Sequence, residues 1–115
     1  MREMPPTTKP DTGTTPGVAP TDEITPLFNV VLLNDDYHSY DYVIEMLGAI
    51  FSVSPEGAFQ HAVEVDTTGR TIVMTCEREQ AEFGRSQIQS YGADPRMQES
   101  KGSMSAIIEP AGQSR

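Results

Sequence analysis

Three consecutive residues, Asn34-Asp35-Asp36, put one carboxamide and two carboxylates at the end of the apolar run Leu27-Phe28-Asn29-Val30-Val31-Leu32-Leu33. Acids at the exit of a buried strand lie on a loop held by a rigid scaffold, where binding chemistry concentrates. A further acid, Asp66, stands with Ala62 and Val65 at i, i+3 and i+4, so the three share one helix face. Oxygens gathered in this way suit three chemistries. Asp35, Asp36 and Asp66 could ligate Mg²⁺ or Ca²⁺, but the chain has no Asp-x-Asp-x-Asp-Gly loop, and His38 and His61 lack ligand-like spacing. Paired acids after a first strand, with Asp66 and Lys101, also suggest a phosphoryl-accepting receiver domain. That fold needs a strand and a helix every 20–25 residues or so, whereas two helices and no strand separate Asp36 from Asp66. The third chemistry is capture of a compact cation. A free α-amino group, with an ordinary pKa of roughly 7.7–8.0, needs two or three converging acceptors. Asn34 and Asp35 can supply them, Ala62 and Val65 can line an apolar hole, and Asp66 can stand at its rim. Asp66 has a competing structural reading, as a cap for the turn Thr67-Thr68-Gly69. No nucleophile–base pair or metal motif appears, so the expectation is a binding protein with no cofactor rather than an enzyme.

These residues need a scaffold, and the apolar pattern supplies one. Residues 27–33 read as a strand buried on both faces, because the run is nearly continuous. Ser39 is the expected N-cap of a first helix, with Asp41 in its first turn. Val43, Met46, Leu47, Ile50 and Phe51 give that helix one apolar face, and Glu45 lies off it. Ser54-Pro55-Glu56 opens a second helix that runs to about Asp66. Arg70–Thr75 is β-branched and reads as a strand. Glu77 and Glu79 open a third helix on a thin stripe of Ala81, Gly84, Ile88 and Tyr91. Gly84 on that stripe calls for close backbone approach to a sheet. Ala93-Asp94-Pro95 reads as a loop, and Met104, Ala106 and Ile108 alternate with polar residues as a last strand. The order β-α-α-β-α-β predicts an α+β domain, a three-stranded sheet with three helices on one face.

Composition divides the chain. Residues 1–26 hold six of the nine prolines and seven threonines. Such a stretch buries too little surface to offset its ordering entropy, so a disordered arm is expected there. The folded domain is expected over 27–110, with 111–115 as a frayed tail. Net charge is −9, of which the arm carries −2. An acidic domain without a basic stripe disfavours nucleic acid and favours a cationic ligand. Cys76 is the only cysteine, which rules out an internal disulfide. No apolar run is long enough to span a bilayer and no targeting signal is visible, so a cytoplasmic, membrane-free monomer is expected.

Val31-Leu32-Leu33-Asn34-Asp35-Asp36-Tyr37, followed by Tyr42-Val43-Ile44-Glu45-Met46-Leu47, resembles the ClpS family of bacterial Clp protease adaptors, as does the stretch from Gly69 through Ala81-Glu82. The resemblance covers about residues 27–110, and the Pro/Thr-rich arm looks like that family's N-terminal extension. It implies a non-enzymatic adaptor for N-degrons, proteins whose first residue is a bulky hydrophobe, delivering them to an AAA+ Clp unfoldase (ClpA- or ClpC-like) coupled to ClpP. Amine contacts would fall on Asn34 and Asp35, with Asp36 beside them and Asp66 where the family usually has a histidine. The side-chain pocket would fall on Tyr40, Ala62, Val65 and Met104, with His38 near its mouth. Unfoldase docking would involve Glu79 and Glu82. Tyr40 and Ala62 replace frequent methionines, His38 a threonine and Gly84 a common lysine, and a segment around Met97–Lys101 looks inserted. These departures keep open an alternative: a module that docks on a Clp unfoldase and modulates it without reading the substrate amine.

Overall fold

The computed structural model describes residues 25–112; nearly all of the expected arm, and the last three residues of the expected tail, lie outside them. Six elements follow one another: β1 (Leu27–Leu33), α1 (Tyr40–Phe51), α2 (Pro55–Thr68), β2 (Arg70–Glu77), α3 (Arg78–Gln89) and β3 (Ser105–Pro110). β1 is the central strand, antiparallel to β2 on one side and β3 on the other. The fold is α+β, as its apolar periodicity predicts.

Local chemistry explains where the helices begin and end. The Ser39 hydroxyl accepts from Tyr42 N at 3.1 Å and caps α1. Ser54 does the same for α2 through Gly57 N at 3.1 Å, with Pro55 in the first turn where its missing N–H costs nothing. α2 runs two residues past Asp66. The hydroxyls of Thr67 and Thr68 donate to the carbonyls of Val63 and Glu64, and Gly69 closes the helix at φ +93°. That left-handed conformation is one glycine adopts without strain.

All three helices pack on the face of β1 that presents Val30 and Leu32. Tyr42, Val43, Met46 and Leu47 from α1, Ala58, Ala62 and Val65 from α2, and Ala81 and Ile88 from α3 form one core with Met104 and Ala106. α2 packs beside β2, α3 lies against all three strands, and α1 rests on α2 and α3. Gly84 permits closeness chiefly to α1 rather than, as expected, to the sheet. A Cβ there would stand 3.0 Å from Cε1 of Phe51 and 3.7 Å from Cγ2 of Val30. Burial of β1 on both faces is complete at Val30, Val31 and Leu32, while Leu27 is exposed. On the face opposite the helices, Val31 is flanked by Ile72 and Ile107. The Arg70–Glu109 ion pair (2.7 Å) links the two outer strands across β1 on that same face. Hydrogen bonds from Arg70 and Asn29 hold the Glu109 carboxyl below its usual range. β2 carries a bulge at Val73, where the register slips against β1.

Candidate functional site

The exit of β1 lies beside the end of α2 because β1 and β2 pair with Leu33 opposite Arg70, the residue after the Gly69 cap. The Asn34 N–H donates to the Gly69 carbonyl at 3.0 Å and fastens the two. The turn then closes on itself. Asp36 takes a left-handed φ of 67°, which aspartate tolerates better than most residues. The Asn34 amide donates to Asp36 Oδ1 at 3.3 Å, and Asp36 N donates back to Asn34 Oδ1 at 3.5 Å. Asp35 Oδ1 accepts from Tyr37 N at 3.0 Å.

His38, expected near a pocket mouth, lines a cavity with Asp35 and is held there by two hydrogen bonds. Its side chain is 3% exposed, with Nδ1 2.8 Å from Asp35 Oδ1 and Nε2 2.7 Å from the Gly102 carbonyl. The ring lies 4.5 Å from that of Tyr42, whose hydroxyl donates to the Gly92 carbonyl at 2.6 Å. His38 therefore joins the acidic turn to the loop of residues 94–103.

That loop is anchored by a residue the sequence reading treats as ordinary loop. Asp94 is buried, and one carboxylate oxygen accepts from Ser39 N, at the start of α1, at 2.7 Å. The other accepts from Arg96 N at 3.0 Å and from the Arg96 guanidinium at 3.2 Å. Burial pushes the Asp94 carboxyl up, but these hydrogen bonds outweigh it and bring it down to about 2. Arg96 also pairs with Glu45 on the exposed side of α1. No local signature could have revealed Asp94, since its partner Ser39 is 55 residues away.

Across the turn, Tyr40 at the start of α1 donates its hydroxyl to Asp66 Oδ2 at 2.7 Å, and its ring meets Phe59 edge-on. The bond to Asp66 raises the Tyr40 phenol above its ordinary pKa, with smaller contributions from burial and from the Asp66 charge. The hydroxyls of Thr67 and Thr68 and the backbone of Gly69 hold the turn after α2, so the carboxylate of Asp66 is left for the phenol. The expected apolar wall is assembled but covered: Ala62, Val65 and Met104 are only 1–2% exposed. Asp35 and His38 instead line a cavity of about 730 Å³ with Tyr37, Gln98, Glu99 and Lys101–Ser103, and neither Ala62 nor Val65 forms part of it. The structure thus groups Asn34, Asp35, Asp36 and His38 in one turn, and Tyr40 with Asp66 in a second cluster. It leaves Ala62, Val65 and Met104 in the core.

The third helix presents a different surface. Glu79 is exposed in its first turn, and Glu82 pairs with Arg78 at 3.0 Å. Phe83 is 66% exposed beside a groove of about 530 Å³ lined by Ile50, Phe51, Met74, Cys76, Glu79 and Gly84. Burial, then the charge of Glu77, pushes the Cys76 thiol up, away from a reactive thiolate. Among the described residues, no group of three or more His, Cys, Asp or Glu is placed to hold a metal, and no helix is long and apolar enough to cross a membrane.

Residues 23–97 match the family model described as the ATP-dependent Clp protease adaptor protein ClpS. This chain belongs to the ClpS family. The match ends at residue 97, where the segment that looks inserted begins. Among solved structures, the chain is similar to Agrobacterium tumefaciens ClpS2 bound to L-phenylalaninamide, at 27% identity and a TM-score of 0.65, over 76% of this chain and 99% of that one. Membership in ClpS makes the chain a Clp protease adaptor.

Proposed function

We propose that this ClpS-family adaptor captures proteins by a free α-amine and a bulky hydrophobic first side chain, and passes them to an AAA+ Clp unfoldase coupled to ClpP. The observation that carries this reading is the Asn34–Gly69 backbone bond, which sets the acidic turn against the helix end bearing Asp66. An ammonium placed there has Asn34, Asp35, Asp36 and Asp66 as candidate acceptors, and charge-assisted hydrogen bonds are the strong kind. The ligand of the similar ClpS2 structure, L-phenylalaninamide, carries the two features the reading needs: a primary amine and an apolar side chain. To admit that side chain, the buried Ala62, Val65 and Met104 become accessible. Burial of one such side chain contributes roughly 1.5–3 kcal/mol. The face carrying Glu79 and Glu82, with exposed Phe83 and its groove, is the surface offered to the unfoldase. The chain does no covalent chemistry and acts in the cytoplasm as a monomer.

A second reading has an observation in its favour. The Tyr40–Asp66 bond and the buried state of Ala62, Val65 and Met104 fit a module that docks on the unfoldase without reading amines. Calorimetric titration with short peptides differing only in their first residue decides between them. The adaptor binds Phe-, Leu-, Trp- or Tyr-initiated peptides and rejects Ala-initiated ones. Equal affinity across the panel, or none for any peptide, would overturn the adaptor and leave the modulator.

A further inference from the structure

His38 holds two acceptors at once. Nδ1 faces Asp35 Oδ1 at 2.8 Å and Nε2 faces the Gly102 carbonyl at 2.7 Å, with the Ser100 hydroxyl 3.1 Å from Nε2. Carboxylate and carbonyl oxygens only accept, so a ring carrying both protons donates to both, and a neutral ring satisfies one of them. The ring has little freedom to turn, being 3% exposed and packed on buried Tyr42.

The far side of the bridge is equally fixed. Asp94 N donates to Ser100 Oγ at 2.8 Å, and the Asp94 carboxylate takes the Ser39 N–H at 2.7 Å. The loop that carries Gly102 is therefore pinned to the start of α1. On the near side, Asp35 Oδ1 is committed to Tyr37 N and His38, while Oδ2 has no hydrogen bond among the described residues.

We propose that His38 is a positioning residue through which the 94–103 loop aims Asp35, holding one carboxylate oxygen so that the other is presented to the substrate ammonium. The role rests on the reading of Asp35 as an amine contact, and it gives the segment that looks inserted a task in substrate binding. Loop and amine site become one unit, so changes at Ser100 or Gly102 reach the ligand without touching it.

The test is calorimetric titration of L-phenylalaninamide into the full chain and its H38Q, D35N and H38Q/D35N variants. Glutamine reaches only one of the two acceptors, and H38Q is expected to weaken binding about tenfold. In the D35N background the same change is expected to cost less than twofold, because the carboxylate it aims is gone. Equal affinity for wild type and H38Q overturns the proposal, as does an equal loss in both backgrounds. Should H38Q fail to fold, ¹⁵N resonances of the His38 ring in the wild-type chain decide instead. They are expected to shift on saturation with L-phenylalaninamide, and no shift overturns the role. A wild-type chain that does not bind the amide removes the adaptor reading itself, which is distinct from a binding chain indifferent to His38.

Discussion

The β1 exit and the α3 face both present carboxylates, yet they are built in opposite ways. At the β1 exit nearly every carboxylate has an internal partner: Asp35 has Tyr37 N and His38, Asp36 has Asn34, Asp66 has Tyr40, and Asp94 has Ser39 and Arg96. On α3 Glu82 has only the exposed Arg78, and the most exposed aromatic, Phe83, borders an apolar groove. A small cation offers few atoms to hold, so its acceptors must be aimed beforehand, and preorganisation reduces the cost of binding. A protein partner offers area, and a surface with an apolar centre and polar rim suits it. The difference predicts that single-atom changes matter at the first region and leave the second untouched.

The strongest way to break that contrast is to acetylate the amine of a Phe-initiated peptide. Acetylation removes the charge and two donors, and charged hydrogen bonds contribute roughly 1.5–3 kcal/mol each. Affinity is expected to fall at least about a hundredfold. A calorimetric titration in which the acetylated peptide binds equally well would remove amine capture from the β1 exit.

Next in size is Asp94→Ala, which leaves the start of α1 and the Arg96 guanidinium without their buried partner. The expected loss is about 2 kcal/mol of stability, read from denaturant melts. The pH dependence has a definite sign. The Asp94 carboxyl is lowered from 3.8 to about 2 in the fold, so its contribution is present above about pH 4 and is lost as pH falls towards 2. Wild type should lose stability across that window and Asp94→Asn should lose less; parallel curves would show that Asp94 does not anchor the loop.

Asp35→Ala sharpens the comparison directly. A Phe- or Leu-initiated peptide is expected to bind about tenfold more weakly, ~1.4 kcal/mol. Phe83→Ser on α3 should leave the same affinity unchanged. Anisotropy with a labelled peptide reads both. If the α3 change weakened the peptide as much as the turn change did, the two regions would not be separate surfaces.

What the sequence disclosed, and what it hid, follows the reach of each interaction. The Ser39 and Ser54 caps, the α1 stripe and the inward set Met104, Ala106 and Ile108 are settled within a few residues, and each could be read in advance. α2 ends two residues beyond the expected Asp66 because the hydroxyls of Thr67 and Thr68 extend the helix rather than break it. The clustering of Asn34 with Asp35 and Asp36 is local and was legible. The bonds that give the region its shape were not: Ser39 to Asp94, His38 to Gly102 and Tyr40 to Asp66 span 55, 64 and 26 residues. No periodicity reports a pairing at that distance. The sequence places His38 beside the acidic turn, but its bridge to Gly102 is visible only in the fold.

The smallest effect is the most discriminating, because its sign runs against ordinary damage. Tyr40 donates to Asp66 Oδ2 at 2.7 Å in a partly exposed setting, where such a bond contributes little to stability. If an incoming ammonium takes over that oxygen, the phenol is its competitor. Tyr40→Phe removes the competitor and keeps the ring that meets Phe59 edge-on. A Phe-initiated peptide should then bind about threefold tighter, as expected when a weak exposed contact no longer has to be broken. Faster association in stopped-flow traces should accompany the gain, since the ring would leave α2 more readily. Weaker binding would instead place the hydroxyl among the substrate's own contacts and take Asp66 off the list of amine acceptors. Capture at the β1 exit would then rest on Asn34, Asp35 and Asp36 alone.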